Sequence, residues 1–210
     1  MDRPRTDKRT IIRRRQKEQK EELRAHILRT AGQLFVELGY SNFSMRKLAE
    51  RIGYSPATLY VYFRDKDDLL FLVVDDAFMR FTERLEAAAS GGTDMWERLG
   101  RLGEAYVTFG LEHPAYYQLM FMWRIDYLME PQGIQKIPRV QAFDVLLRTV
   151  RDAMEQGVLR AESPETASDL LWAAMHGIVS LSIQMPMFNQ QRTEKLMRHA
   201  MEMLYKALHS

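Results

Sequence analysis

Apolar residues return every three to four positions along nearly the whole chain, the period of a helix with one buried face. No stretch alternates with the period of two that a half-buried strand requires, so the pattern predicts an all-α fold of about nine helices. The first carries Ile27, Leu28, Ala31, Leu34, Phe35 and Leu38 on one face and stops at Gly39. Ser44 caps a second helix over 44–52, with Met45, Leu48, Ala49 and Ile52 pointing inward and Gly53 at its end. Ser55 caps a third, with Pro56 at its first position, where a missing N–H costs nothing, and with its end near Phe63. Asp65 caps a long fourth helix that runs to about Ala89 and meets Gly91 and Gly92. A fifth spans 94–112, a sixth 114–122, a seventh 138–156, an eighth 163–185 and a ninth 191–208, separated by Pro114, Gly157 and Pro186. Residues 123–137, with Pro131 and Gly133, read as irregular at least in part.

Charge divides this helical chain in two. Residues 1–66 hold 16 Lys/Arg against 8 Asp/Glu, a balance of +8, while the remainder holds 14 against 20 and carries −6. A basic module that meets a polyanion gives this asymmetry, and so does a solvated charged tail. The domains expected are a flexible basic arm and the start of the first helix over 1–20, a helix-turn-helix unit over 21–65 and a larger helical unit over 66–210. The arm before about Arg13 is polar enough to be disordered without a partner. The longest apolar run, Leu69 to Val74, is far short of the roughly 18 residues of a membrane span. The charged N-terminus does not read as a signal peptide, and the chain has no cysteine for a disulfide or a thiolate metal site. A cytoplasmic protein with no membrane partner is therefore expected.

The two short helices form the strongest local motif. A helix-turn-helix needs a small residue where its helices cross, a residue tolerant of positive φ in the turn and an apolar anchor on the second helix. Ala49, Gly53 and Leu59 supply these in order, at spacings of four and six. The second helix then offers Ser55, Ala57, Thr58, Tyr60 and Val61 to base edges in a major groove. Hairpins with Ala, Gly and Leu also occur in proteins that never meet DNA, and only the adjoining basic charge tilts the reading toward nucleic acid.

The wording of the sequence here carries more than spacing. The stretches Ile27-Leu28-Arg29-Thr30-Ala31-Gly32-Gln33-Leu34-Phe35, Ser44-Met45-Arg46-Lys47-Leu48-Ala49 and Thr58-Leu59-Tyr60-Val61-Tyr62-Phe63, with Lys66-Asp67-Asp68-Leu69-Leu70 after them, resemble the DNA-binding unit of the tetracycline-repressor (TetR) family. The resemblance implies a dimer that binds a pseudo-palindromic double-stranded operator and represses transcription until a small effector releases it. It also implies roles. Ser44 caps and touches a phosphate, Arg46 reaches a base or phosphate, and Ala57 and Thr58 sit at the groove. Tyr60 contacts backbone or base, and Tyr62 and Lys66 approach phosphates. Ser44 is equally explained as a plain cap, and Tyr62 as half core.

In the second unit, Trp172, His176 and Gly177 form W-x-x-x-H-G, which resembles the Trp-His-Gly C-terminal domain of one subgroup of that family. Helices five to seven are rich in Met and aromatics. Trp96, Tyr106, Phe109, Tyr117, Met120, Phe121, Trp123, Trp172 and His176 are the candidates for an effector pocket, for an apolar or amphipathic ligand. Any one of them also makes an ordinary core residue. Glu104, Glu112 and Asp126 are acidic groups that would favour a cation. The ninth helix is apolar around most of its circumference, more than a single buried stripe requires. Its Leu196, Ala200, Met203 and Leu204, with Ala174, Gly177 and Leu181 on the eighth, are the candidates for a homodimer seam; burial inside a monomer is the alternative. There is no paired nucleophile and base, no phosphate loop and no ligand cluster for a metal, so no enzyme, cofactor or metal is expected. A helix-turn-helix adaptor without a small ligand remains open beside the ligand-responsive regulator, as does, further off, a helical enzyme.

Overall fold

The computed structural model describes residues 8–122 and 138–209, so the expected irregular stretch 123–137, with Trp123 and Asp126 in it, lies outside the described residues. The described residues form α1 (Lys8–Asn42), α2 (Met45–Ile52), α3 (Pro56–Tyr60), α4 (Lys66–Ala89), α5 (Met95–Glu112), α6 (Pro114–Phe121), α7 (Pro138–Glu155), α8 (Pro164–Gln184) and α9 (Gln190–Leu208). No strand occurs among them; one isolated bridge pairs Leu159 with His209. The chain divides into two compact units, residues 1–74 and 75–210, and the division falls inside α4 rather than at its start.

The first unit is built on the expected anchors. Ile27, Ala31, Leu34 and Phe35 of α1 are buried with Leu48 and Ala49 of α2 and with Leu59 and Phe63. Phe35 stacks on Phe43 at 3.9 Å between ring centroids. Two positions need a left-handed backbone. Gly39, at φ 71°, breaks the helical run inside α1. Gly53, at φ 75° and ψ 29°, ends α2 and donates its N–H to the Ala49 carbonyl, turning the chain toward α3.

The start of α1 corrects the sequence reading. The helix begins at Lys8, not near Arg13, so residues 8–12 of the arm expected to be disordered are helical. Its charges pair along one face, Arg14 with Glu18 at 2.8 Å and Lys17 with Glu21 at 3.8 Å, and no Gly or Pro interrupts residues 8–31. Polar composition alone did not distinguish a solvated helix with i,i+4 pairs from a disordered arm.

In the second unit α5 is the central element, packed on α6, α7 and α8, while α8 also packs on α7 and α9. Close approach of α5 and α8 depends on two glycines. A Cβ at Gly110 would collide with Val179 and would lie 3.1 Å from the Tyr117 ring; one at Gly103 would meet the Met175 sulfur at 3.4 Å. Asp94 caps α5 by accepting from the Glu97 N–H at 2.8 Å, and the Glu97 carboxylate returns to the Thr93 N–H at 2.7 Å. The end of α9 is tied down where the Arg160 N–H donates to the Leu208 carbonyl at 2.7 Å.

Candidate nucleic-acid interface and apolar cavity

The recognition segment of the first unit is short and sharply two-sided. Ser55 caps α3 by accepting from the Thr58 N–H at 3.2 Å, and its hydroxyl lies 3.0 Å from the Thr58 hydroxyl. Leu59 is fully buried and fixes the helix to the core, whereas Ala57, Tyr60 and Val61 face outward. Tyr60 is 55% and Val61 71% exposed, large apolar surface with no fold to serve. Ser44 caps α2 through the Lys47 N–H at 3.2 Å, which satisfies the plain structural role; Arg46 is exposed and bonds Glu50 at 2.9 Å. Tyr62 is half-buried against Phe63, with the Lys20 ammonium 5.7 Å from its ring. The Lys66 ammonium sits 4.0 Å from the Tyr40 ring centroid, and the Tyr40 hydroxyl donates to Asp67. Lys66 is thus held at the start of α4 by a cation–π contact.

The second unit contains an apolar cavity of about 760 Å³. Tyr106, Met120, Phe121, Trp172 and His176 line it. The remaining candidates lie elsewhere. Phe109 is buried against Phe81 and His113, at 4.8 and 5.1 Å between ring centroids, and Trp96 packs on Tyr205 of α9 at 4.9 Å. Phe109 is core and Trp96 is half-buried, and neither lines the cavity. Tyr117 is fully buried behind the wall, its ring packed on those of Phe121 and His176 at 4.7 and 5.6 Å between centroids. Phe78 and Phe81 of α4, Arg139 and Phe143 of α7, Asp169 of α8 and Met201 of α9 line the cavity without having been singled out in the sequence. Of the acidic groups considered, Glu104 is exposed and Glu112 pairs with Arg84 at 2.6 Å; neither lines the cavity, and Asp169 is the carboxylate that does. Arg139 also bears on Asp75, whose carboxyl is pushed above the usual range by burial against the pull of that guanidinium.

One wall carries a cluster of neutral polar groups. The Trp172 Nε1–H donates to the Tyr106 hydroxyl at 3.1 Å, and the Tyr106 and Tyr117 hydroxyls are 2.9 Å apart. His176 Nδ1 lies 2.6 Å from the Tyr117 hydroxyl and 3.3 Å from that of Tyr106. Burial drives both phenols well above their ordinary range and pushes the imidazole down, so all four groups are uncharged near neutral pH.

The seam candidates divide. Leu181 and Met203 are exposed, Met203 at 71%, and Ala174, Gly177, Leu196 and Ala200 are half-buried. A Cβ on Gly177 would meet nothing within 4 Å. Leu204, in contrast, is buried within its own chain, on the inward face of α9, and does not belong to an exposed seam.

A helix-turn-helix with an outward-facing second helix, on a chain whose second helical unit holds an apolar cavity, is the architecture of a regulatory protein of the helix-turn-helix class. Residues 27–73 match the family model described as bacterial regulatory proteins, tetR family, and residues 99–204 match the tetracyclin repressor-like C-terminal domain. The chain belongs to the TetR family of bacterial regulatory proteins. It is 32% identical over 114 residues to the HTH-type transcriptional activator FasR of Mycolicibacterium smegmatis, across 54% of this chain and 51% of that one. It is 34% identical over 86 residues to the HTH-type transcriptional regulator HbdR of an Aromatoleum species, across 41% of this chain and 38% of that one. The chain thus spans about half the length of the first of these curated relatives and less of the second. A TetR family transcription regulator from Marinobacter aquaeolei superposes with a TM-score of 0.74 at 22% identity, covering 92% of this chain and 99% of the other. No helix among the described residues is long and apolar enough to cross a membrane.

Proposed function

We propose that this regulator acts as a homodimeric repressor, binding a pseudo-palindromic operator through α3 and leaving it when a small apolar or amphipathic effector fills the cavity of the second unit. The carrying observation is α3 itself. Leu59 holds the helix from inside while Ala57, Tyr60 and Val61 are left outward, an arrangement that costs solvation and is repaid when those side chains meet base edges. The basic charge of residues 1–66 supplies the phosphate attraction. Dimerisation is supported by the outward Met203 and Leu181 and by the open space over Gly177. Control by an effector is supported by the volume and apolar wall of the cavity, and by α4, which gives Phe78 and Phe81 to that wall and Leu69 and Leu70 to the first unit. An effector that binds one arrangement of α4 better than another shifts the population toward it. The reaction chemistry of an enzyme plays no part in this reading, which needs binding alone. The expected compartment is the cytoplasm, where the operator is.

The test is selection of binding sites from a random duplex library by the full chain, followed by titration at several salt concentrations. The expected result is an inverted repeat with half-sites about one helical turn apart, roughly 10 base pairs, and affinity that falls steeply with salt. Failure to enrich any sequence would remove the operator-binding role.

A further inference from the structure

The Trp172–Tyr106–Tyr117–His176 cluster has a direction, and the direction decides what the cavity offers a ligand. An indole nitrogen only donates, so Tyr106 Oη is an acceptor toward Trp172 and has its own proton left for another group. Three atoms then share two phenolic protons: Tyr106 Oη and Tyr117 Oη at 2.9 Å, Tyr117 Oη and His176 Nδ1 at 2.6 Å, and Tyr106 Oη and His176 Nδ1 at 3.3 Å. If Tyr106 donates to Tyr117 and Tyr117 to Nδ1, each proton lies on one of the two short edges and the longest edge is left without one. The reverse order, with the proton on Nδ1, puts three protons among three atoms and leaves one phenolic O–H without an acceptor in the triad. The Ser180 hydroxyl bears on Tyr117, but its oxygen is buried and makes no hydrogen bond, so the omission is costly where Tyr106 and Tyr117 are both buried. The relay therefore ends on Nδ1 as an acceptor, and the imidazole proton belongs to Nε2. Among the described residues Nε2 has no hydrogen-bond partner, while His176 itself lines the cavity.

We propose that the W-x-x-x-H-G motif is a ligand-reading device: Trp172, through Tyr106 and Tyr117, locks His176 as the Nε2–H tautomer, and that N–H binds a neutral hydrogen-bond acceptor on an otherwise apolar ligand. The chemical class is a chain or ring compound bearing a ketone, ester, thioester or amide carbonyl. The proposal rests on the reading of the cavity as an effector site and names the chemistry of its occupant. The depressed basicity of the imidazole agrees, because a neutral ring facing an apolar wall gains from a carbonyl dipole without the cost of separating charge. An amine finds no free acceptor in this relay, since Nδ1 is taken and each phenol oxygen already receives a proton, Tyr106 from Trp172 and Tyr117 from Tyr106. Of the charged lining residues, half-buried Arg139 stands on α7 and exposed Asp169 on α8, three residues before Trp172; no hydrogen bond among the described residues joins either to the relay.

Two measurements on the full chain test it. The first is a long-range ¹H–¹⁵N spectrum of histidine-labelled protein without ligand. It should show His176 as the Nε2–H tautomer, and Trp172→Phe, which removes the fixed donor, should let the two tautomers mix. A proton on Nδ1 in the unsubstituted protein overturns the proposal. The second is calorimetric titration with 2-decanone, decane and decylamine. The ketone should bind about five- to tenfold more tightly than the alkane, the worth of one neutral hydrogen bond. Any gain by decylamine should survive His176→Phe, because it comes from the lining carboxylate of Asp169 and not from Nε2–H. His176→Phe should erase the ketone's margin and keep alkane binding. A margin that is absent in the unsubstituted protein, or one that survives in a folded His176→Phe, overturns the proposal, as does a cavity that takes none of the three probes. Should His176→Phe fold poorly, the spectrum and the margin in the unsubstituted protein decide. Neither measurement involves DNA, so a ketone that binds through Nε2–H without releasing operator would sink the effector reading and leave this one standing.

Discussion

Adjacent residues on α3 have opposite assignments, and substitutions should separate them. Leu59 has no exposed surface, and Leu59→Ala should cost about 2–5 kcal/mol of stability through lost transfer energy and the cavity left behind. Tyr60 is more than half exposed, so Tyr60→Ala should change stability by no more than about 0.5 kcal/mol while weakening specific operator binding by about 1–3 kcal/mol. Denaturant melts and operator titrations of the two variants check this; normal operator affinity in Tyr60→Ala would take α3 out of base reading. A second residue-scale expectation concerns acid. Glu97 is held down to about 2 by the Thr93 N–H and hydroxyl and then by Arg101, against an ordinary value of 4.5. A carboxyl depressed in the folded state contributes stability that is present above about pH 4.5 and is lost as pH falls toward 2. Glu97→Gln should therefore flatten the acid limb of a melting-temperature profile and leave the slope near neutrality unchanged. The anchors of the first unit were legible in the sequence because each does a local job: Ser44, Gly53 and Ser55 answer to capping and turn geometry that spacing alone expresses.

At the scale of elements, what the sequence showed was which segments are helices; what it did not show was which face of an aromatic helix meets which neighbour. Tyr106 and Phe109 are three residues apart on α5 and so nearly share a face, yet one lines the cavity and the other fills the core against Phe81 and His113. Trp96 lies at the start of the same helix, where it meets Tyr205 of α9 instead. Periodicity cannot make these distinctions, because they depend on partners remote in the chain. The same holds for Arg139 and Asp169, charged residues on helices otherwise read for their apolar faces. The approach of α5 to α8 gives an element-scale expectation. Ala is ordinarily the better helix former, by about 1 kcal/mol over Gly. At Gly110, however, the new methyl meets fully buried Val179 and the Tyr117 ring, and overpacking of this kind costs about 1–3 kcal/mol. Gly110→Ala should therefore lower stability by up to about 2 kcal/mol in urea melts. A stabilised variant would mean that the α5–α8 contact yields easily.

For the whole molecule the decisive question is assembly, and neighbouring residues on α9 answer it separately. Met203 is among the most exposed large apolar side chains described, whereas Leu204 beside it is buried. If α8 and α9 form the homodimer seam, Met203→Glu should give folded monomers in sedimentation, with helical content intact by circular dichroism. Leu204→Glu should instead unfold the chain, because it places an unpaired charge inside one subunit. A Met203→Glu variant that sediments as the native dimer would move the interface elsewhere. The excess apolar surface of α9 was legible as surplus, but its division between inward and outward faces needed the packing of α8.

The two-sidedness of α3 has a consequence for how such a regulator diversifies. Leu59 holds the helix from inside, Ser55 and Thr58 close its first turn, and Ala57, Tyr60 and Val61 have no buried contact to lose. Substitutions at these last three positions are close to silent for folding, so a lineage can wander among target sequences through variants that all remain folded. A library randomised at positions 57, 60 and 61 should accordingly return a high fraction of well-folded proteins, and one randomised at 59 almost none. New target preferences would then be sought without a destabilised intermediate on the path.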